Sequence, residues 1–342
     1  MRAPNFDNLL RVLNREKPER PTLFEFFLNR DLYTKLAGYQ RPEAGRVEEF
    51  QWLAKAFEAA GYDYVTLTPP PGFQFGDMAQ HDNKETISLN EYNSIYDEAS
   101  FEAYEWPKIN SFDYSPYEQI GKLLPEGMKS IPYGPGGVLE NVIQLVGYDT
   151  MCLMSIDNPE LLKKIFDKVG QALVDYYKVI VEFNSVGAII SNDDWGFNTQ
   201  TMLCPSDFEK FLFPWHKKIV EVGHKAGKPV ILHSCGNLEK VMDIIIDDLG
   251  YDGKHSYEDN IQPVEKAYDI YHKRIAILGG IDLDFICRKS PEEVFQRSKE
   301  MINKSSNAGA YALGTGNSVP EYIPHENYFA MIKAATEINY EC

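Results

Sequence analysis

No apolar stretch in this chain approaches the roughly 18 residues that suggest a bilayer span, so no membrane helix is expected. Positive charge is scarce: 34 Lys and Arg stand against 51 Asp and Glu, a net charge of −17. That balance argues against gripping a nucleic-acid backbone. Cysteine is sparse too. Cys152, Cys204, Cys235, Cys287 and Cys342 are odd in number and far apart, which reads as cytosolic thiols rather than a disulfide framework. The first eight residues (MRAPNFDN) lack the apolar core of a signal peptide, so the expected location is cytoplasmic. No G-x-G-x-x-G opens a βαβ unit near the start, which leaves a doubly wound open sheet as the second choice of fold.

The chain does have size: 342 residues, 44% of them hydrophobic, suffice for one large α/β domain or two smaller ones. Strand-like and helix-like runs alternate along most of it. Residues 21–27 (PTLFEFF), 62–68 (YDYVTLT), 130–133, 187–191 (GAIIS), 229–233 (PVILH), 252–257, 275–278 and 310–313 read as about eight strands. Helical spacing follows nearly every one, as in residues 46–60, where Phe50, Leu53 and Phe57 share a face. The loops after the strands are rich in Gly, Asp, Asn and Glu. This pattern predicts an α/β chain forming a single-domain (β/α)8 TIM barrel over residues 1–342, its chemistry at the strand C-termini. Residues 73–106 interrupt the alternation. They are read as a hairpin-like insertion after the second strand, over the barrel mouth, with paired short strands within residues 85–96; a solvated surface hairpin is the plainer alternative.

The run 229–237 (PVILHSCGN) is the most informative. On a strand, residues i and i+2 face the same way, so His233 and Cys235 present a nitrogen and a sulfur to one point. That donor pair suits zinc. A buried histidine beside a structural thiol has the same sequence, and two ligands do not make a site.

Further motifs join it: Asp193-Asp-Trp-Gly196, Gly279-Gly-Ile-Asp282, and Gly314-Thr-Gly-Asn317 with the residues 323–327 (IPHEN) that follow. In this order the chain resembles the uroporphyrinogen decarboxylase superfamily. The resemblance implies a (β/α)8 barrel and two kinds of enzyme, true uroporphyrinogen decarboxylases and zinc-dependent methyltransferases that work with corrinoid proteins. A true decarboxylase is expected to carry an N-terminal arginine cluster, an aspartate after the second strand and a histidine in the last-strand loop. Here only Arg20 and Arg30 stand near, residues 66–70 (TLTPP) hold no acid, and the last loop reads GTGN. The His-X-Cys run resembles the methyltransferase branch, where it supplies two zinc ligands and a later cysteine near the last strand a third. That cysteine is absent, so a carboxylate must replace it. The expected metal ligands are His233, Cys235 and a carboxylate, Glu258 or Asp194, with Glu258 placed first.

With one thiolate fewer the site is harder, which favours an oxygen-linked methyl group over a thiol. The implied function is transfer of a methyl group between a small donor or acceptor and a corrinoid carried by a partner protein, as a demethylase component. A decarboxylase and a non-catalytic ligand-binding barrel are the alternatives, and a homodimer is left open. Asp193, Asp194 and Glu140 are the catalytic candidates. Adjacent on a strand, Asp193 and Asp194 must face opposite ways, one toward the mouth and the other capping a turn. Glu140, at a helix start, also suits the helix dipole. Tyr133, Trp195, Phe73 and Asn317 are the candidate substrate contacts, although aromatics are more often core. His255 reads as a satisfied core histidine.

Overall fold

Among the described residues, seven short strands carry the architecture: β1 (Tyr64–Leu67), β2 (Lys129–Pro132), β3 (Ile189–Asn192), β4 (Val230–His233), β5 (Gly253–His255), β6 (Ala276–Leu278) and β7 (Tyr311–Ala312). They are seen in a computed structural model that describes residues 2–75, 89–90 and 94–337. All are parallel. β3 to β7 form one continuous ladder in chain order, and β1 pairs with β2. Bridges from Ser130 to Val186 and from Tyr133 to Ile190 join β2 to β3. The first expected strand, residues 21–27, pairs with β7 only around Leu23, where Phe24 N–H donates to Leu313 O and Leu313 N–H to Thr22 O, each at 2.8 Å. The eight segments therefore follow one another around a (β/α)8 barrel. At the seam between this first segment and β1, the Tyr64 hydroxyl takes the place of a backbone ladder. It accepts from Glu25 N–H and donates to Glu25 O, both at 2.6 Å.

The strands are buried almost throughout, β1, β4, β5, β6 and β7 at every position, because a parallel sheet inside a helical shell is covered on both faces. The helices bury single stripes. In Pro159–Ile180 the stripe runs through Leu161, Ile165, Val169 and Leu173, and the Asn158 side chain caps its start. The long helical region expected over 138–183 is three helices, Val138–Val146, Tyr148–Asp157 and Pro159–Ile180. Gly147, at φ +85°, makes the first break, and Pro159 makes the second by opening a new helix at its first position.

Of the expected insertion, residues 76–88 and 91–93 lie outside the described residues, and with them most of the proposed strand pair. Residues 94 and 95 dock by their amides on Leu145 O. They lead into the helix Glu98–Ala103, which Asp97 and Ser100 cap reciprocally.

The seam has one point of very close approach. A Cβ on Gly314 would lie 1.7 Å from Phe24 O. Gly314→Ala is expected to lower the unfolding free energy by about 2–4 kcal/mol, the range for overpacking plus lost ladder contacts. Urea titration measures it, and a change below 0.5 kcal/mol would show that the seam yields freely.

Candidate metal centre

The ends of β3 and β4 meet at one point. Register pairs Asn192 with His233 and His233 with His255, so the chain leaves the barrel at one level on three successive strands. Beyond His233 the backbone turns at Gly236, φ +85°, pressed so close to Gly196 that a Cβ would sit 2.1 Å from its carbonyl. This tight turn aims Cys235 N–H at Asp194 Oδ1, 2.8 Å away. Ligand atoms of Asp194, His233 and Cys235 all lie within 4.8 Å of one another, and Cys235 Sγ is 3.9 Å from His233 Nε2.

Hydrogen bonding selects the tautomer that a ligand needs. His255 Nε2 lies 3.3 Å from Thr315 O, which can only accept, so this nitrogen carries the hydrogen. His255 Nδ1 then accepts, and His233 Nδ1, 2.8 Å away, donates to it. His233 Nε2 is left with a bare lone pair facing the thiol and the carboxylate, the arrangement in which outer partners orient a metal-binding imidazole. Burial, reinforced by the charge of Lys254, pushes His233 down to about 3. The imidazole is therefore neutral at any physiological pH. Burial and then the Asp194 charge push the Cys235 thiol up. The carboxylate beside it disfavours the thiolate, and a cation between the two reverses that. The donor set, one N, one S and one O, fits zinc, for which a fourth ligand would complete a tetrahedron.

The third ligand position corrects the sequence reading. The carboxylate brought to His233 and Cys235 is Asp194, and Glu258 is not in the cluster. After β5 the chain bends, with Tyr257 N–H on Gly316 O, so Glu258 is carried into the adjoining cleft with Asp282, Gly316 and Asn317. Burial and then the Asp282 charge raise its carboxyl.

Asp193 is likewise corrected as a direct catalytic group. It is fully buried, and its oxygens accept from Leu139 N–H, Glu140 N–H and His216 Nε2 at 2.9–3.0 Å. It caps the helix Val138–Val146 from the neighbouring strand and so acts as a positioning residue. Asp193→Ala is expected to cost about 3–5 kcal/mol, since it strands two helix amides and a buried imidazole; thermal unfolding reads the loss. Glu140 takes Gly137 N–H at 2.8 Å, and burial with the Asp193 and Asp194 charges raises its carboxyl.

Trp195 is no substrate wall. It is 0% exposed and packs on His216, Phe208 and Phe213. Phe73 is buried with its ring edge-on to Trp106. Tyr133 lines a cavity of about 250 Å³ with Tyr33, Trp52, Leu53 and Thr66. The Phe26 ring lies between it and His233, touching both at 4.9 and 4.4 Å between centroids. Asn317 Nδ2 donates to Cys235 Sγ at 3.2 Å and borders the other cleft, about 850 Å³.

Residue-by-residue reading missed Lys254, Thr315, Glu25 and the role of His255. Lys254 is buried at 3% exposure. Its Nζ donates to Ser256 O at 2.6 Å and Ser234 O at 3.3 Å, tying the residue between His233 and Cys235 to the end of β5. Burial lowers its pKa to about 8. A lone charged residue inside a strand run, as in residues 253–255 (GKH) and 21–27 (PTLFEFF), was the available signal.

Residues 134–338 match the family model described as uroporphyrinogen decarboxylase (URO-D). A uroporphyrinogen decarboxylase of Trichodesmium erythraeum is 28% identical over 198 residues, 56% of this chain and 52% of the relative. The methylated-thiol–coenzyme M methyltransferase of Methanosarcina mazei is 22% identical over 194 residues, 56% of this chain and 49% of the relative. A methylcobamide:CoM methyltransferase of Methanosarcina acetivorans is 25% identical over 182 residues, 53% and 50% of the two chains. The matched stretch spans about half the length of these relatives. Among solved structures, a methyltransferase from Methanosarcina mazei superposes with a TM-score of 0.72 at 19% identity, covering 98% of this chain and 99% of that one, which shows the shared fold. Among the described residues no helix is long and apolar enough to cross a membrane. With the family model matched over the greater part of its length, the chain belongs to the uroporphyrinogen decarboxylase (URO-D) family.

Proposed function

We propose that the protein is a zinc-dependent methyltransferase that passes a methyl group between a small oxygen-linked donor and a corrinoid held by a partner protein. The observation that carries this is the convergence of Asp194, His233 and Cys235 at the barrel mouth. Zinc in this site would be held by His233 Nε2, Cys235 Sγ and the Asp194 carboxylate. When bound, it supplies a Lewis acid for a substrate heteroatom. The chain's own residues set its character. Asn317 donates to the thiolate sulfur and draws charge from it, and Asp194 brings a hard oxygen donor, so the site favours an oxygen-bearing substrate. Tyr133, Tyr33 and Trp52 supply an apolar wall one ring away from His233. Glu140, held by Gly137 N–H at the helix start, is assigned to give a proton to the departing alcohol oxygen when the methyl group leaves.

The corrinoid partner is suggested by the methylcobamide:CoM methyltransferase named above, whereas the oxygen-linked donor and the demethylase role rest on the donor set of this site. The decarboxylase reading is weaker. Arg20, one of the two arginines near the first segment, is tied to Asp63 Oδ1 at 2.5 Å and to Ala3 O, and Arg41, which lines a cavity with Arg30, is paired with Glu49, so no arginine cluster stands ready for a polycarboxylate among the described residues. The test is metal analysis of protein from zinc-replete medium, followed by anaerobic mixing with cob(I)alamin and methoxylated donors. About one zinc per chain and a donor-dependent spectral change to methylcob(III)alamin are expected. Protein that carries no zinc and shows no saturable zinc binding near neutral pH would refute the reading.

A further inference from the structure

Glu25 stands in an otherwise apolar run and is fully buried. Removing a carboxylate from water costs several kcal/mol unless a cation meets it, and among the described residues none is paired with it. The groups that face it are Thr315 after β7, Tyr64 on β1, and the buried phenols of Tyr33, Tyr62 and Tyr328; His255 lies beyond Thr315. The Thr315 hydroxyl stands between two oxygens that both act as acceptors when Glu25 is ionised. Glu25 Oε1 accepts Thr315 N–H at 2.6 Å, and Glu25 Oε2 lies 2.9 Å from Thr315 Oγ1. The same hydroxyl is hydrogen-bonded to Asn317 O, which can only accept. One hydroxyl hydrogen cannot serve both acceptors, and a carboxyl buried without a cation keeps its own proton and supplies the second hydrogen.

We propose that Glu25 is a neutral carboxylic acid that donates to Thr315 Oγ1 and so clamps residues 314–317 against the two ligand-bearing strands. Two arms leave this clamp. Thr315 O accepts from His255, whose Nδ1 accepts from His233, keeping His233 Nε2 unprotonated. Asn317, fixed through its carbonyl, turns its amide onto Cys235 Sγ. One buried acid at the barrel seam thus positions the outer partners of two ligands at once. The effect on metal rests on the zinc reading; the state of the carboxyl does not.

The protonation is read on the metal-free protein. The infrared difference spectrum of wild type minus Glu25→Gln at neutral pH is expected to show the C=O stretch of a protonated carboxyl, shifted in D2O. Carboxylate bands in its place overturn the proposal. Zinc affinity is then measured against a competing chelator. Glu25→Gln, whose amide also accepts Thr315 N–H and donates to Oγ1, should hold zinc within about threefold of wild type, and Glu25→Ala should lose about tenfold or more, as outer partners do. If Glu25→Ala does not fold, Thr315→Val removes the same hydroxyl and should show the same loss. Equal, large losses in Glu25→Gln and Glu25→Ala refute the clamp. A wild type that binds no zinc refutes the zinc reading, and the infrared band still decides the state of Glu25.

Discussion

Cys235→Ser is expected to weaken zinc binding by at least about 100-fold, beyond the 10–100-fold that outer partners alone cost. The sulfur contributes the softest donor of the three, and a serine hydroxyl keeps its proton at neutral pH. Cys204, exposed and bonded to Ser206, and Cys287 stand outside the cluster, so Cys204→Ser and Cys287→Ser should bind as wild type does. Asp194→Asn should lose less than the thiolate, about tenfold, because an amide oxygen still reaches the ion and still accepts Cys235 N–H. Acid should weaken binding in the wild type, since the thiol must shed its proton and burial already holds that proton tightly. Competition titrations of the four variants test all of this. Wild-type affinity in Cys235→Ser would remove the thiolate from the site and leave the methyltransferase reading without its physical support.

The stability of Glu25→Gln relative to wild type is expected to climb as pH rises from about 4.5 to about 8. Burial pushes the Glu25 carboxyl up to about 8 from the ordinary 4.5 that the unfolded chain retains. The folded-state value is the raised one, so its contribution is fully present below the unfolded value and is lost as pH rises through the folded one. The slope is about 1.4 kcal/mol per pH unit for one group, several kcal/mol over the window. Glutamine does not titrate and loses nothing. The comparison must be a difference, because His233 and His255, held low by burial, act in the opposite sense: their neutral burial favours the fold above about 6.5 and opposes it as pH falls. The tyrosines around Glu25 are all raised by burial and stay neutral throughout. Urea unfolding of the pair at four or five pH values reads the slope. Parallel profiles would mean that Glu25 is ionised in the fold.

The barrel was legible along the chain because its causes are local. Apolar runs of four residues ended by Gly, Asp and Asn mark strands that enter a polar rim, and helical stripes between them can bury themselves only against a parallel sheet. The His-X-Cys pair was legible for the same reason, since a two-residue spacing on a strand sets a common face without help from the rest of the fold. Asp193 and Asp194 were separable in principle by alternation, but which of the two faces the mouth depends on where the helix Val138–Val146 presents its bare amides, 53 and 54 residues before Asp193. Glu258 against Asp194 turned on a bend after β5 made by Gly316, from the far end of the sequence. Glu25, Thr315 and His255 were beyond local reading altogether. They are 290 and 60 residues apart along the chain, and they meet because the barrel brings its first segment beside its last. A lone acid in an apolar strand is a physical contradiction on paper; it resolves only where the last segment, folded beside the first, brings a hydroxyl to accept its hydrogen bond and excludes the water that would have ionised it.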